Sequence, residues 1–374
     1  MSMAAVGRRQ VVGGARAARM LAWRVHGYGG LGELRLEEAR VPALRAPGDL
    51  LVRVSAASLN PLDVAMTRGY GAAALGALRA LSGAAAPGEE LPLVCGRDLV
   101  GEVVRAGPAA RLRPGDRVWA ALPPQVPGTH SQYALIRDSW VTAAPVSLDE
   151  AEAGGAPYAA LTASAAVRAA GLAGDAASGA RVLVLGLGGV GQAAVQLLAA
   201  RRHIVSVGCA GELHALALEL GAAHAFDRHE PDYWTRIDRG GPYAAVLDCA
   251  GLGGDEAARV GAAGRYVTLT SPVLRETDAH GVAAGTAAAA VRLAVQNACA
   301  PRGLSVRWAF FRASGAELEA LRSLVDRGLV SVPYLRVFPW WEAPAAYEHA
   351  ATGSARGKLV LDFTRVRGYA DAAV

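Results

Sequence analysis

Residues 181–200, Arg-Val-Leu-Val-Leu-Gly-Leu-Gly-Gly-Val-Gly-Gln-Ala-Ala-Val-Gln-Leu-Leu-Ala-Ala, constrain the fold more than any other stretch. An apolar run, Val182 to Leu185, ends in Gly186-x-Gly188-x-x-Gly191, and an Ala- and Leu-rich helical stretch follows. That order predicts strand, tight turn, helix. Gly186 permits the turn, Gly188 lets the backbone approach a pyrophosphate, and Gly191 lets helix and strand pack closely. The helix N-terminus then offers unpaired N–H groups and a partial positive charge to the phosphates. The competing reading is a Gly-rich turn that only packs. The strand–turn–helix context favours a dinucleotide site.

More βα units follow. Ile204–Gly208, Ala223–Asp227, Tyr243–Cys249, Gly264–Thr270 and Val306–Phe311 read as strands. Glu212–Leu220 and Ser314–Gly328 read as helices, with Leu318, Leu321, Leu324 and Val325 at helical spacing. The alternation predicts a parallel, doubly wound α/β sheet. Ligands lie at the carboxyl ends of such strands. That places the turns after Leu185, Gly208, Cys249 (with Gly251) and Thr270 near a cofactor, with Ala309 and Phe310 at the same rim. An acid about 20 residues after the glycine turn holds the ribose 2′-hydroxyl of NAD. Here Gly208-Cys209-Ala210-Gly211 stands there, and Glu212 comes late. The gap favours NADPH over NADH, with His214 and Arg228 as the nearest cations.

Residues 20–150 read differently, as short strands between Gly, Pro and Asp turns, and predict a mostly antiparallel barrel. Asp49–Val54, Asp98–Val104, Arg117–Ala121 and Ser131–Ile136 are the expected strands, with a bend or bulge at Gly101. Three segments here have the residue types for chemistry. Asn60, pushed extended by Pro61, has an amide able to donate to a substrate carbonyl; the bland alternative is an Asx turn. Tyr70, between Gly69 and Gly71, has a hydroxyl able to donate a proton or orient a carbonyl, or is a half-buried aromatic. The adjacent opposite charges of Gly96-Arg97-Asp98 could pair with other groups of the interdomain hinge; a structural turn and strand start is the preferred reading. Residues 71–90, with a helix near Ala72–Leu81, read as a cleft cover or a plain loop. A hinge is expected near Glu150–Pro157. Thr162–Gly171 reads as a helix, and Val332–Phe363 returns to strand. Arg356 and Lys358 in Ala355-Arg-Gly-Lys358 reach cofactor phosphates or rest at the surface.

Composition removes several classes. Four arginines in the first 20 residues, Arg8, Arg9, Arg16 and Arg19, account for all but +1 of the formal charge of +5, so the basic pI is no signal for nucleic acid. That Arg-bearing, acid-free start predicts a mitochondrial leader; the alternative is a disordered tail with Met20 starting a shorter form. No stretch is apolar enough to span a bilayer. Residues 282–300 come closest, but carry Arg292, Gln296 and Asn297. Cys95, Cys209, Cys249 and Cys299 are scattered, which excludes a four-Cys zinc loop and argues against a disulfide framework. Lys358 is the only lysine among 38 Lys and Arg residues.

The glycine turn, Ala57-Ser-Leu-Asn-Pro-Leu-Asp63, Arg68-Gly-Tyr-Gly-Ala72, Gly96-Arg-Asp98, Pro157-Tyr-Ala-Ala-Leu-Thr162, Tyr266-Val-Thr-Leu-Thr270, Arg307-Trp-Ala-Phe-Phe311 and Ala355-Arg-Gly-Lys358 together resemble the medium-chain dehydrogenase/reductase superfamily. The resemblance covers residues 20–364. Zinc alcohol dehydrogenases of that superfamily carry a Cys where Ser58-Leu-Asn60 stands and Gly-His-Glu where Gly96-Arg97-Asp98 stands. The chain therefore resembles the zinc-free quinone-oxidoreductase branch, which implies no metal. The resemblance implies a leader over 1–19, a chaperonin-10-like β-barrel catalytic domain over 20–153 and 330–364, a Rossmann domain over 154–329 and a frayed end over 365–374. It implies cofactor contacts at Gly189, Val190, Ala210, Leu269, Phe310, Ala355 and Arg356. It also implies an NADPH-dependent reductase of the mitochondrial matrix, linked to ubiquinone biosynthesis, with a quinone or enone substrate and a reticulon among its partners. The chain departs from the family in three places: Leu187 and Gly188 replace a longer turn with a Ser, Ala210 replaces a Ser, and an Asn near Cys249 is missing.

Two functions remain from this reading. One is hydride transfer from NADPH, with Asn60 and Tyr70 acting on the acceptor carbonyl; enoyl-thioester reduction is its enzymatic variant. The other is a nucleotide-bound scaffold with little turnover, which the altered turn permits.

Overall fold

A computed structural model describes residues 18–82, 90–174, 178–260, 264–332, 335–353 and 355–365. The expected leader lies outside the described residues except at Ala18 and Arg19, and the expected frayed end lies outside them after Arg365. The N-terminal half runs β1 (Arg19–Val25), β2 (Leu34–Arg40), β3 (Asp49–Leu59), α1 (Pro61–Met66), α2 (Ala72–Leu81), β4 (Leu93–Val94), β5 (Asp98–Ala106), β6 (Arg117–Ala121), β7 (Tyr133–Arg137), β8 (Val141–Ala143), α3 (Glu150–Gly155) and α4 (Pro157–Ala169). The βα units follow as β9 (Arg181–Leu185), α5 (Gly189–Ala200), β10 (Ile204–Cys209), α6 (His214–Glu219), β11 (His224–Asp227), α7 (Tyr233–Gly240), β12 (Ala245–Asp248), β13 (Arg265–Thr268), α8 (Val273–His280), α9 (Val282–Cys299), β14 (Ser305–Trp308) and α10 (Gly315–Asp326). The chain closes with β15 (Leu335–Pro339), α11 (Ala343–Ala351) and β16 (Lys358–Asp362).

Strands β9 to β14 form one six-stranded sheet in the order β11-β10-β9-β12-β13-β14, parallel throughout. This order reverses between β9 and β12, the switch point at which doubly wound sheets bind ligands. The strands are apolar on both faces because helices cover both: Val182, Leu183, Val184, Val205, Val207, Val246 and Leu247 are fully buried. The other strands make a seven-stranded sheet, β15-β16-β3-β5-β6-β8 with β7 also on β3, and a three-stranded sheet, β2-β1-β4. The late strands β15 and β16 thus return to the sheet of β3, but the strand character expected over Val332–Phe363 holds only at its two ends, since helix α11 lies between them. That return brings Leu359 opposite Leu59.

Three expectations are corrected. The segment expected to hinge is helical: Asp149 caps α3, accepting from the Glu152 amide at 2.8 Å, while the Glu152 carboxylate accepts from the Asp149 amide at 3.1 Å. Glu152 completes the cap while Glu150 pairs with Arg117 at 2.7 Å, and Pro157 opens α4 directly after it. The last parallel strand stops at Trp308, three residues early, because its pairing with β13 ends there. The bulge near Gly101 lies in the partner strand: the register between β3 and β5 shifts at Val54/Ala56, opposite Gly101. A Cβ at residue 101 would stand 2.1 Å from the Arg53 carbonyl oxygen, which is why glycine is required there.

This close approach gives the first prediction. Gly101→Ala forces the two strands apart and lowers stability by about 2 kcal/mol, read as a lower denaturant midpoint. Gly32→Ala, with nothing within 4 Å of its Cβ, leaves the midpoint within about 0.5 kcal/mol of wild type.

Candidate active site

The glycine turn is built as its sequence predicts. Gly186 has φ +91°, and its amide donates to Gly208 O at 2.8 Å. A Cβ at Gly191 would lie 2.0 Å from Gly186 O, so helix α5 packs directly on the turn. Around Gly188 the space is open to 4 Å, which leaves room for a ligand phosphate at the N-terminus of the 12-residue helix α5. The turn therefore fits a dinucleotide pyrophosphate. Val190 packs against the core, and Gly189 faces Lys358.

Parallel register carries the other rim residues to the same edge. Ala210, 8% exposed, follows β10. Gly251, at φ +78°, follows β12 in a loop shaped by the Asp248 carboxylate, which accepts from the amides of Ala250, Leu252 and Gly253 and from the Thr268 hydroxyl. Leu269 follows β13, its amide donating to Asp248 O at 3.3 Å. Ala309 is buried and donates to Thr268 O at 3.0 Å, while the Phe310 ring beside it is exposed and meets Trp308 edge-on at 6.3 Å. The segment before β16 joins them: Gln192 donates to Arg356 O at 2.9 Å, and the Arg356 guanidinium pairs with Glu212 at 2.8 Å. Ala355 packs on the barrel core. Arg228, expected near a 2′-phosphate, is exposed, with its Nε 3.3 Å from His229 Nε2.

An acid also reaches this rim, and it comes from the neighbouring strand. Asp227 pairs in register with Cys209 on β10, and its Oδ2 lies 2.4 Å from where a Gly211 Cβ would be. A spacing argument along β10 alone could not have found it.

Beneath the cleft the structure assembles charges that the sequence reading left apart. Asp63, Arg97 and Asp98 are fully buried, Asn60 is 4% exposed and Lys358 6%. For Arg97 and Asp98 the preferred reading is a structural turn and strand start over pairing with other groups near the hinge. Instead Arg97 donates to Pro123 O and Val126 O at 3.1 Å and to Val94 O at 3.2 Å, with its Nε 3.6 Å from Asp63. Asp98 accepts from the Ser58 hydroxyl at 2.6 Å, the Ser58 amide at 3.3 Å and the Tyr158 amide at 3.0 Å. Tyr158 is the second residue of α4, so the helix N-terminus faces a carboxylate. Asp63 ties the first cleft loop to β5, accepting from the Asn60 amide at 2.9 Å and the Gly96 amide at 2.7 Å. Lys358 neither rests at the surface nor extends to solvent: its Nζ donates to Asn60 Oδ1 at 2.8 Å. Burial pulls Lys358 below the ordinary lysine value, and the Asp98 and Asp63 carboxylates oppose that. Burial likewise raises Asp98, against Lys358 and its hydrogen bonds.

His130, also buried, has Nδ1 2.8 Å from the Tyr347 hydroxyl and Nε2 3.1 Å from Ser58 O. A carbonyl only accepts, so Nε2 carries the proton and Nδ1 accepts from Tyr347. Burial holds this imidazole below the usual histidine value.

Tyr70 stands between Gly69 and Gly71, at φ +82° and +81°. The Asp278 carboxylate of α8 accepts from the amides of Gly71 at 2.7 Å and Ala73 at 3.0 Å, so α2 and the tyrosine before it are held from the far side of the cleft. Burial and the Asp278 charge raise the Tyr70 phenol, against Arg275. The covering expected over 71–90 is helical through Leu81; residues 83–89 lie outside the described residues. Opposite, the rings of Tyr158 and Phe311 stack at 4.2 Å. Among the described residues no group of three His, Cys, Asp or Glu is placed to hold a metal.

Comparison with known proteins agrees with this architecture. Residues 46–146 match the alcohol dehydrogenase GroES-like domain, and residues 220–361 match the family described as zinc-binding dehydrogenase. The fold and the rim are those of a dehydrogenase/reductase, and the chain belongs to the medium-chain dehydrogenase/reductase superfamily. Among its relatives is the NAD(P)H oxidoreductase RTN4IP1, mitochondrial, of Drosophila melanogaster, 35% identical over 367 residues, 94% of this chain and 88% of that one. The reticulon-4-interacting protein 1, mitochondrial, of Caenorhabditis elegans is 30% identical over 93% of this chain and 96% of its own length. The structure of the quinone oxidoreductase from Coxiella burnetii superposes with a TM-score of 0.74 at 26% identity, covering 93% of this chain and all of that one.

Two predictions follow from the site. Gly191→Ala disturbs the turn and costs stability, whereas Gly188→Ala leaves the melting temperature unchanged and weakens nucleotide binding about tenfold, read by fluorescence titration. For His130, the unfolded chain takes up a proton near its ordinary value of about 6.5 while the folded chain does so only lower. Its contribution to stability is therefore present above pH about 6.5 and lost as the pH falls below that. In denaturant titrations across pH 5–8, His130→Gln removes that part of the slope.

Proposed function

We propose that this chain is an NAD(P)H oxidoreductase that reduces a quinone or an activated alkene, acting in mitochondria. One observation carries the reading: the pyrophosphate turn and the buried polar floor of the cleft meet, with the Lys358 stem passing Gly189 and its ammonium on Asn60. When bound, the nicotinamide supplies a hydride. The acceptor takes that hydride and one proton, giving a hydroquinone or a saturated carbonyl compound. Asn60 orients the acceptor carbonyl through its amide. Tyr70, with its phenol raised, stays protonated at neutral pH and acts as a hydrogen-bond donor to the same oxygen. Gly186, Gly188, Gly189, Val190 and Gly191 hold the pyrophosphate. Ala210, Gly251, Leu269, Ala309, Phe310, Ala355 and Arg356 line the remainder of the cofactor site. The barrel, residues 20–153 with 330–364, supplies the catalytic side, and residues 154–329 the nucleotide side.

NADPH is the donor favoured by the missing acid after β10, with Arg228 as the cation for its 2′-phosphate. Asp227 opposes that phosphate from β11, so the proposed site takes NADH as well. The matrix location, a role in ubiquinone biosynthesis and a reticulon partner rest on the resemblance; the mitochondrial and reticulon names belong to the relatives.

The test is a titration of the purified protein with NADPH and NADH, followed by addition of a short-chain quinone, an enone and an enoyl thioester. Binding with quinone-dependent oxidation of the nucleotide supports the reading. Oxidation only by the thioester replaces the acceptor class, and binding with no turnover favours a scaffold. Asn60→Ala lowers kcat about 100-fold. Tyr70→Phe lowers it about tenfold, the equivalent of one hydrogen bond. Asp227→Asn raises the ratio of kcat/KM for NADPH over NADH about tenfold by removing the opposing charge.

A further inference from the structure

The one lysine of the chain is its most informative unassigned residue. Every other member of the 38 Lys and Arg residues is arginine, and the bias of composition toward Arg acts on all of them alike. The exception is buried at the centre of the cleft floor. It comes to Asn60 from 298 positions away because β16 pairs antiparallel with β3, Leu359 against Leu59, which sets residue 358 beside residue 60. The space suits an ammonium. The stem passes Gly189, where a Cβ would stand 2.7 Å from Lys358 Cδ, and the acceptors at the tip are Asn60 Oδ1 at 2.8 Å and Leu59 O at 3.5 Å. A planar guanidinium with five N–H donors would find too few acceptors there and would press on the turn.

An ammonium only donates, so the Asn60 amide must present its oxygen to Lys358. Its Nδ2 then faces the other way. The contacts it makes there are long, 3.4 Å to Ser58 Oγ and 3.5 Å to Asp98 Oδ1. Both lie on one side, and an amide nitrogen has two N–H groups. Those two acceptors are themselves 2.6 Å apart, and among the described residues Nδ2 has no other acceptor, which leaves an N–H for a ligand. A cation on the amide oxygen also strengthens the N–H donors at the far end, because hydrogen bonds in a chain polarise one another.

We propose that Lys358 is a positioning residue: its ammonium fixes the Asn60 amide so that the free Nδ2–H points at the acceptor carbonyl. The inference rests on the proposed role of Asn60 and adds to it the group that orients and charges that amide.

The experiment compares wild type, Lys358→Met, Lys358→Arg, Asn60→Ala and the double variant Lys358→Met/Asn60→Ala in the full chain. Nucleotide affinity is read by nicotinamide fluorescence, and kcat and KM with a short-chain quinone. Lys358→Met is expected to lower kcat at least about tenfold with nucleotide affinity within about threefold of wild type, and the double variant to be no worse than Asn60→Ala, as coupled groups behave. Lys358→Arg restores little, since the fork does not fit. A tenfold loss of nucleotide affinity with kcat intact makes Lys358 a phosphate anchor and overturns the proposal; so do losses that multiply in the double variant. If Asn60→Ala turns over like wild type, the role of Asn60 has failed first. If it is impaired while Lys358→Met is not, only the present inference fails.

A second readout needs no turnover. Lysine labelled with ¹³C at the ε-carbon gives one side-chain signal in this chain. That signal is expected to shift, and to titrate at a different pH, in Asn60→Ala. A signal that matches free lysine and ignores the Asn60 change overturns the contact itself. This measurement stands even if Lys358→Met does not fold.

Discussion

Two carboxylates and two cations lie out of water beneath the cleft, and the remainder of the site depends on their mutual compensation. Each of Asp63, Arg97, Asp98 and Lys358 would be costly alone; removing one partner of a buried pair leaves a penalty of about 3–5 kcal/mol. The structure meets that cost with backbone groups as well as with opposite charge. Three carbonyls receive Arg97, amides of Asn60 and Gly96 serve Asp63, and the N-terminus of α4 serves Asp98. Asp63 lies in α1, Asp98 in β5 and Lys358 in β16, and the donors Ser58 and Tyr158 lie in β3 and α4, so the charges also fix how five elements meet. The cleft floor is a rigid polar platform as a consequence of this pairing.

That platform meets the parallel-sheet half through α4 and through Lys358. Tyr158 at the start of α4 bonds to Asp98, and the body of α4 packs on α5, the helix that carries the glycine turn. Lys358 touches the same turn from the other side. The nucleotide end and the polar floor therefore share neighbours, and small changes at either are felt by the other through packed groups. Above them, Asp278 of α8 caps α2 across the cleft, so the position of Tyr70 depends on both halves of the chain.

Much of this was legible in the chain as written. The glycine turn predicted its own strand, helix and close approach of Gly191, since those depend on neighbours within ten residues. The helix Ala72–Leu81 was legible for the same reason, and the parallel sheet from the alternation of strands and helices rather than from any local contact. The segment Glu150–Pro157 misled: its Ala, Gly and acids suggested a hinge, whereas in space it is helix α3, with Glu152 in its cap and Glu150 paired to Arg117. Gly96-Arg97-Asp98 read as a turn and strand start because nothing adjacent in sequence signals that Pro123, Val126 and Ser58 will supply acceptors and donors.

The sequence by itself determined the class of fold and the geometry of the glycine turn, because periodicity and glycine stereochemistry are local and every parallel strand delivers its C-terminal residue to one edge. Only the tertiary structure decided the chemistry of the cleft floor. Register between β3 and β16 put the single lysine on Asn60, and register between β10 and β11 put Asp227 beside Cys209 and Gly211. Both depend on pairings between distant segments, and a shift of one residue would turn each side chain to the opposite face.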